Sequence, residues 1–133
     1  MTERAETIAF RPRQRRTQAR VKRRRRQLAE RRPARVARRL ALAHRIAADI
    51  EAGRYKDYAD VARRHGLTRA RLTQIMNLLL LAPDIQEEVL TLEFAVGRQP
   101  VTERTLRRVL GSLCWEDQRA AWADVRPEPR STR

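Results

Sequence analysis

The residues of this sequence best suited to chemistry lie between Thr68 and Asn77. Thr68, Arg69, Ala70, Arg71, Thr73, Gln74 and Asn77 are polar or small, and Leu72, Ile75 and Met76 are interleaved with them. At about 100° per residue, Leu72, Ile75, Met76 and then Leu79 fall on one helical face, with Ala70, Thr73, Gln74 and Asn77 opposite. That outer face carries no acid and no large apolar group. Gln74 and Asn77 can each bond adenine at two points, and Arg69 or Arg71 can do the same with guanine. Thr68, Thr73 and the unpaired amides of a helix N-terminus suit phosphate oxygens. Each residue alone would be an ordinary solvated group. Together, at one end of one helix, they suit the readout of base edges.

Other chemistry finds little support. His44 and His65 are the only histidines and Cys114 the only cysteine, so a Cys/His zinc site is not expected and no internal disulfide can form. Cys114, next to Trp115, reads as a small buried hydrophobe rather than a nucleophile. Asp84, Glu87 and Glu88 read as a solvated acidic face that discourages their helix from lying on a polyanion. No enzyme activity and no cofactor are expected.

The elements that must position the Thr68–Asn77 row are helical, and no sustained alternation or Asn-Gly or Asp-Gly turn argues for a strand. Val36, Leu40, Ala43, Ile46, Ala47 and Ile50 predict a helix over Ala34–Ala52, with Pro33 at its first position and Gly53 after its end. Asp57 caps a second helix, Tyr58–His65, which Gly66 terminates. Thr68 caps a third, running to about Leu81. Pro83 opens a fourth, to about Leu92, and Glu93–Pro100 is expected to be a loop. Thr102 caps a fifth, with Val101 and Leu106 as a hydrophobic staple. A sixth spans Trp115–Val125. Trp115 and Trp122, seven apart, share a face that packs in the core or forms a dimer contact. The expected fold is all-α, a compact multi-helix domain over residues 33–125. At its centre, Val61, Ala62, Gly66, Leu67, Leu72 and Ile75 are small or apolar where two short helices crossing at a glycine turn require it, the helix-turn-helix pattern.

The charge points the same way. The formal net charge is +15 over 133 residues, and residues 1–39 hold 16 Lys/Arg against 3 acids while residues 40–133 hold 15 against 13. Between Arg11 and Arg32 the only large apolar residues are Val21 and Leu28, too few to offset the entropy of ordering. Residues 1–32 therefore read as a disordered arginine-rich arm, most cationic at Lys22, Arg23, Arg24, Arg25 and Arg26, whose Gln14–Arg32 segment becomes helical against phosphates. Residues 126–133, with two prolines, read as a disordered tail. The longest apolar run, Leu78–Ala82, is five residues, far short of the ~20 a membrane helix needs. No signal-peptide pattern opens the chain, and a cytoplasmic setting is the default.

Residues 57–108 resemble the helix-turn-helix domain of ParB/KorB-type partition proteins and their regulator relatives. The likeness rests on the text from Tyr58 to Leu79, followed by Leu81-Ala82-Pro83-Asp84-Ile85-Gln86-Glu87-Glu88-Val89, and on a closing helix over Val101–Leu110. In that family the recognition helix leads into a Leu-Leu pair, a leucine-proline turn and an Ile-Gln-x-x-Val helix; here Ala82 replaces the usual leucine before the proline. The resemblance implies sequence-specific binding of duplex DNA through the helix beginning at Thr68. Partition proteins also carry an upstream nucleotide-binding domain, for which the chain before Asp57 is too short, and Ala29-Glu30-Arg31-Arg32 echoes its arginine motif only in composition. CTP or ATP use is not expected. The chain is similar to stand-alone versions of the domain, some of them resembling small proteins encoded beside phage-type site-specific recombinases. This implies a transcriptional regulator or recombinase accessory factor of a mobile element.

Two main functional classes follow. One is a sequence-specific binder of double-stranded DNA, acting as a monomer or homodimer, with base readout from Thr68–Asn77 and phosphate contacts from the arm. The other is an RNA-binding regulator whose arm folds as a helix on an RNA hairpin. A third is a protein-interaction module that its arm concentrates on DNA.

Overall fold

The computed structural model describes residues 12–128. Seven α-helices and one two-stranded sheet follow in order: α1 (Pro12–Ala29), β1 (Arg31–Pro33), α2 (Arg35–Glu51), α3 (Tyr58–His65), α4 (Arg69–Met76), α5 (Pro83–Leu90), β2 (Glu93–Ala95), α6 (Glu103–Val109) and α7 (Trp115–Val125). A 3-10 turn, Asn77–Leu80, links α4 to α5. The fold is all-α apart from the short β1–β2 pair.

α2 is the spine. Its apolar stripe follows the three- and four-residue spacing of a helix packed along one side. The N-terminal half, Val36, Ala37 and Leu40, enters one core cluster with Leu78, Leu81, Ile85, Val89, Phe94, Leu106 and Trp122. The C-terminal half, Ala43 and Ile46, enters a second with Val61, Ala62, Leu72, Ile75 and Met76. One cluster thus holds α5, α6 and α7, and the other holds α3 and α4. The two are joined through one helix and through Leu79, which packs against both.

The sheet corrects the expectation of no strands. β1 and β2 pair antiparallel, with Arg31 opposite Ala95, Arg32 opposite Phe94 and Pro33 opposite Glu93. The flanking bonds, Ala34 N–H to Leu92 O at 2.8 Å and Val96 N–H to Glu30 O at 3.3 Å, set the alternation of the ladder. By that alternation Pro33 occupies a non-hydrogen-bonded position, where its missing N–H costs nothing. Pro33 is therefore a strand residue and not the first residue of α2, whose cap is Ala34. The expected loop at Glu93–Pro100 begins as β2, and the boundary drawn after Arg32 falls inside β1. The arm expected to be disordered without a polyanion is helical over Pro12–Ala29, so α1 overlaps the Gln14–Arg32 segment expected to fold only against phosphates. Residues 1–11 of the expected arm and 129–133 of the expected tail lie outside the described residues.

Other differences have local causes. Trp122 is buried, its indole N–H donating to Glu88 Oε2 at 2.9 Å, whereas Trp115 is exposed, so the two do not form one packed face. Cys114, expected to be buried, is exposed at the N-cap of α7. The acids of α5 are not uniformly solvated. Asp84 accepts three bonds from Arg119, two from Nε and one from Nη2, at 3.1–3.2 Å, and that guanidinium holds its carboxyl below the usual range. Glu88 accepts from Trp122 and pairs with Arg126 at 3.2 Å. Among the described residues no helix is long and apolar enough to cross a membrane.

Candidate nucleic-acid interface

α3 and α4 meet at a turn whose every end is chemically closed. The Asp57 side chain accepts the Asp60 N–H at 2.9 Å, satisfying an orphan donor of the first turn of α3. Asp60 itself is buried, accepts from the Lys56 N–H at 3.1 Å and Arg63 Nη2 at 2.8 Å, and forms an ion pair with Arg64 Nε at 3.2 Å. The Lys56 amide first, then the Arg63 guanidinium, hold its carboxyl below the ordinary aspartate value against the opposing effect of burial. Arg64 also lies over the Tyr55 ring, 5.3 Å from its centroid, and Tyr55 packs on the second core cluster rather than standing free for stacking.

Gly66 ends α3 at φ 65°, and the Leu67 N–H reaches back to Ala62 O at 2.9 Å. A Cβ built at Gly66 meets nothing within 4 Å, so only the left-handed backbone opposes a side chain there. Gly66→Ala is expected to lower stability by about 1–2 kcal/mol through that conformation alone. Urea unfolding of the variant checks this, and an unchanged midpoint would contradict it.

The Thr68 hydroxyl oxygen accepts the Arg71 N–H at 3.1 Å and caps α4. Leu72, Ile75 and Met76 are buried, and Thr68, Arg69, Ala70, Thr73, Gln74 and Asn77 are exposed. The polar row anticipated in the sequence is thus an exposed surface, backed by a fixed apolar side. Three details differ. α4 stops at Met76, and Asn77 begins the tighter 3-10 turn, so Asn77 departs from the α-helical wheel. The Thr73 hydroxyl donates to Arg69 O at 2.9 Å. Phosphate oxygens are acceptors, so Thr73 must give up that bond to serve one, whereas Thr68 keeps its hydroxyl proton.

Arg71 is the third difference. It is half-buried, and its guanidinium is bound end-on to Glu103 of α6: Nη1 to Oε1, and Nη2 to Oε2 at 2.9 Å. Nη1 also lies 3.2 Å from Gln74 Oε1. Through this hydrogen-bonded pairing the Glu103 carboxylate raises the pKa of Arg71, and the Arg71 guanidinium lowers that of Glu103. It is therefore engaged within the domain and not extended for guanine, which leaves Arg69 as the exposed arginine at the start of α4. Neither Glu103 nor its role was anticipated, because a contact across 32 residues leaves no local pattern.

In α1, Lys22, Arg23, Arg24, Arg25 and Arg26 are all exposed, and among the described residues no carboxylate pairs with any of them. Five successive helical residues span a full turn, so this charge faces all sides of α1. Among the described residues no group of three or more His, Cys, Asp or Glu is placed to hold a metal ion.

No family model matches this chain, and neither a curated protein nor a solved structure matches it.

Proposed function

We propose that this protein is a sequence-specific binder of double-stranded DNA, with α3 and α4 acting as a helix-turn-helix and α1 as an electrostatic clamp on the backbone. The observation that carries the reading is the exposed row of Arg69, Ala70, Thr73 and Gln74 on α4, flanked by Thr68 at its cap and Asn77 at its end, free of acids and large apolar groups, beside a buried Leu72–Ile75–Met76 face. Hydrogen-bonding side chains near a helix N-terminus suit the major groove, and Thr68 and Arg69 stand where base edges and phosphates are met. The 31 Lys/Arg against 16 acids supply the long-range attraction. The likeness of residues 57–108 to the ParB/KorB-type domain supports the same use of α4. A regulator or recombinase accessory factor in the cytoplasm is the role proposed with it.

The test is selection of bound fragments from genomic DNA, using the whole chain at near-physiological salt and a whole chain neutralised at Lys22–Arg26 at low salt, where its remaining phosphate contacts still retain DNA. Truncation before Pro33 is unsuitable because it cuts β1. Enrichment of one short motif by both proteins supports readout by α4. Binding without preference by the unaltered protein, lost on neutralisation, would overturn duplex readout and make RNA held by α1 the next ligand to test. If α1 makes about six phosphate contacts, duplex affinity should fall by roughly three decades between 50 and 200 mM salt.

Gln74→Ala is expected to narrow the gap between cognate and scrambled duplexes by about tenfold, within the 1–3 kcal/mol a two-point base contact contributes, while scrambled binding is unchanged. Paired titrations of both duplexes decide it, and equal losses on both would remove Gln74 from the readout.

A further inference from the structure

The Glu103–Arg71–Gln74 chain bears on which base is read. Arg71 has donors only, so the group of Gln74 that faces it is the amide oxygen. The guanidinium cannot easily turn away. Its two terminal nitrogens are held end-on by Glu103, whose side chain is 15% exposed, and the Arg71 side chain is itself only 30% exposed. Glu103 is anchored in turn in the first turn of α6, behind the Thr102 cap. With Oε1 turned toward Arg71, one of its two lone pairs is taken and any second donor must approach beside the guanidinium cation, whereas the NH2 group makes no hydrogen bond among the described residues.

An adenine edge offers one acceptor and one donor, so two-point bonding needs both ends of the glutamine amide. A guanine edge offers two acceptors, N7 and O6, and needs only the NH2 end. We propose that Arg71, fixed by Glu103, is a positioning residue that holds the Gln74 oxygen beside a cation and presents its NH2 group to the base, and so selects guanine over adenine at the base Gln74 meets. This rests on the duplex-binding reading above. It replaces the expectation that glutamine at this position reads adenine and that Arg71 itself reads guanine.

The experiment is selection from a randomised duplex pool with the full chain, its Gln74→Ala variant and its Arg71→Met variant. Gln74→Ala identifies the base position that depends on this side chain. At that position the unaltered protein is expected to prefer guanine over adenine by about tenfold. Arg71→Met, by freeing the amide to turn, is expected to move the preference to adenine while the rest of the motif stays. Arg71→Met leaves Glu103 half-buried without its partner, so the double variant R71M/E103M, checked for helical content by circular dichroism, provides the same readout without a stranded charge. A preference other than guanine in the unaltered protein, no position that depends on Gln74, or an unchanged preference in the folded double variant would each overturn the proposal while duplex readout stands. Failure of the unaltered protein to enrich any motif overturns both together.

Discussion

Replacing Lys22, Arg23, Arg24, Arg25 and Arg26 with glutamine is expected to weaken binding to every duplex, cognate or scrambled, by about three decades near 0.15 M salt. Each phosphate contact contributes about 0.9 to the slope of log affinity against log salt. The five cations surround α1, so not all can face one backbone at once. With about four in contact, the slope flattens by about 3.6 units, and at 0.15 M that corresponds to the stated loss. The effect should not come from unfolding. Glutamine is nearly as good a helix former as arginine, and the substitutions remove repulsion between like charges on α1. Fluorescence anisotropy with a labelled duplex, cognate and scrambled, at several salt concentrations measures both quantities. A loss confined to the cognate duplex would place α1 in base readout instead. An unchanged slope would remove it from the phosphate backbone.

What was legible in the sequence and what was not divides by range. Asp57, Thr68 and Thr102 each cap the helix that follows, because a cap depends on a side chain and an amide three residues away. The buried positions of α2 were legible because a long helix repeats its stripe often enough to be recognised. β1 and β2 were not, since three residues cannot show alternation and Arg31-Arg32-Pro33 has strand character only opposite Glu93-Phe94-Ala95. At the candidate interface the outer row of α4 was legible from the wheel. The withdrawal of Arg71 toward Glu103 was not, because it depends on where α6 comes to rest. Trp115 and Trp122 show the same limit. Their spacing placed them on one side of α7, but only Trp122 lies where Glu88 of α5 can accept its N–H.

Gln118 is the least visible residue of this kind, and substituting it should have the largest effect on stability. The side chain is wholly buried, yet it holds three segments together. Its Oε1 accepts the Ala82 N–H at 2.7 Å, and its Nε2 donates to Leu80 O at 3.1 Å and Ser112 O at 3.0 Å. These are the end of the 3-10 turn after α4, the cap of α5 and the loop before α7, backbone groups with no helix partner at those points. Gln118→Leu keeps much of the volume and strands one amide and two carbonyls. Each unpaired buried group costs about 1–3 kcal/mol. Because small shifts can admit water to one or two of them, the expected loss is about 3 kcal/mol, or about 10–20 °C in melting temperature for a domain of this size. Gln118→Glu separates lost hydrogen bonds from charge. Its carboxylate keeps the bond from Ala82 but sets a buried negative charge against the Leu80 and Ser112 carbonyls, and burial raises a carboxyl's folded pKa above its unfolded value of about 4.3. A raised folded pKa gives stability that is present below the unfolded value and lost as pH rises through the folded one. The Gln118→Glu variant should therefore be the less stable of the two at neutral pH and recover toward the Gln118→Leu variant below about pH 4. Urea unfolding of both at pH 7 and pH 4 decides the matter: equal midpoints at both pH values would mean that Gln118 acts by packing and not as the knot between α4, α5 and α7.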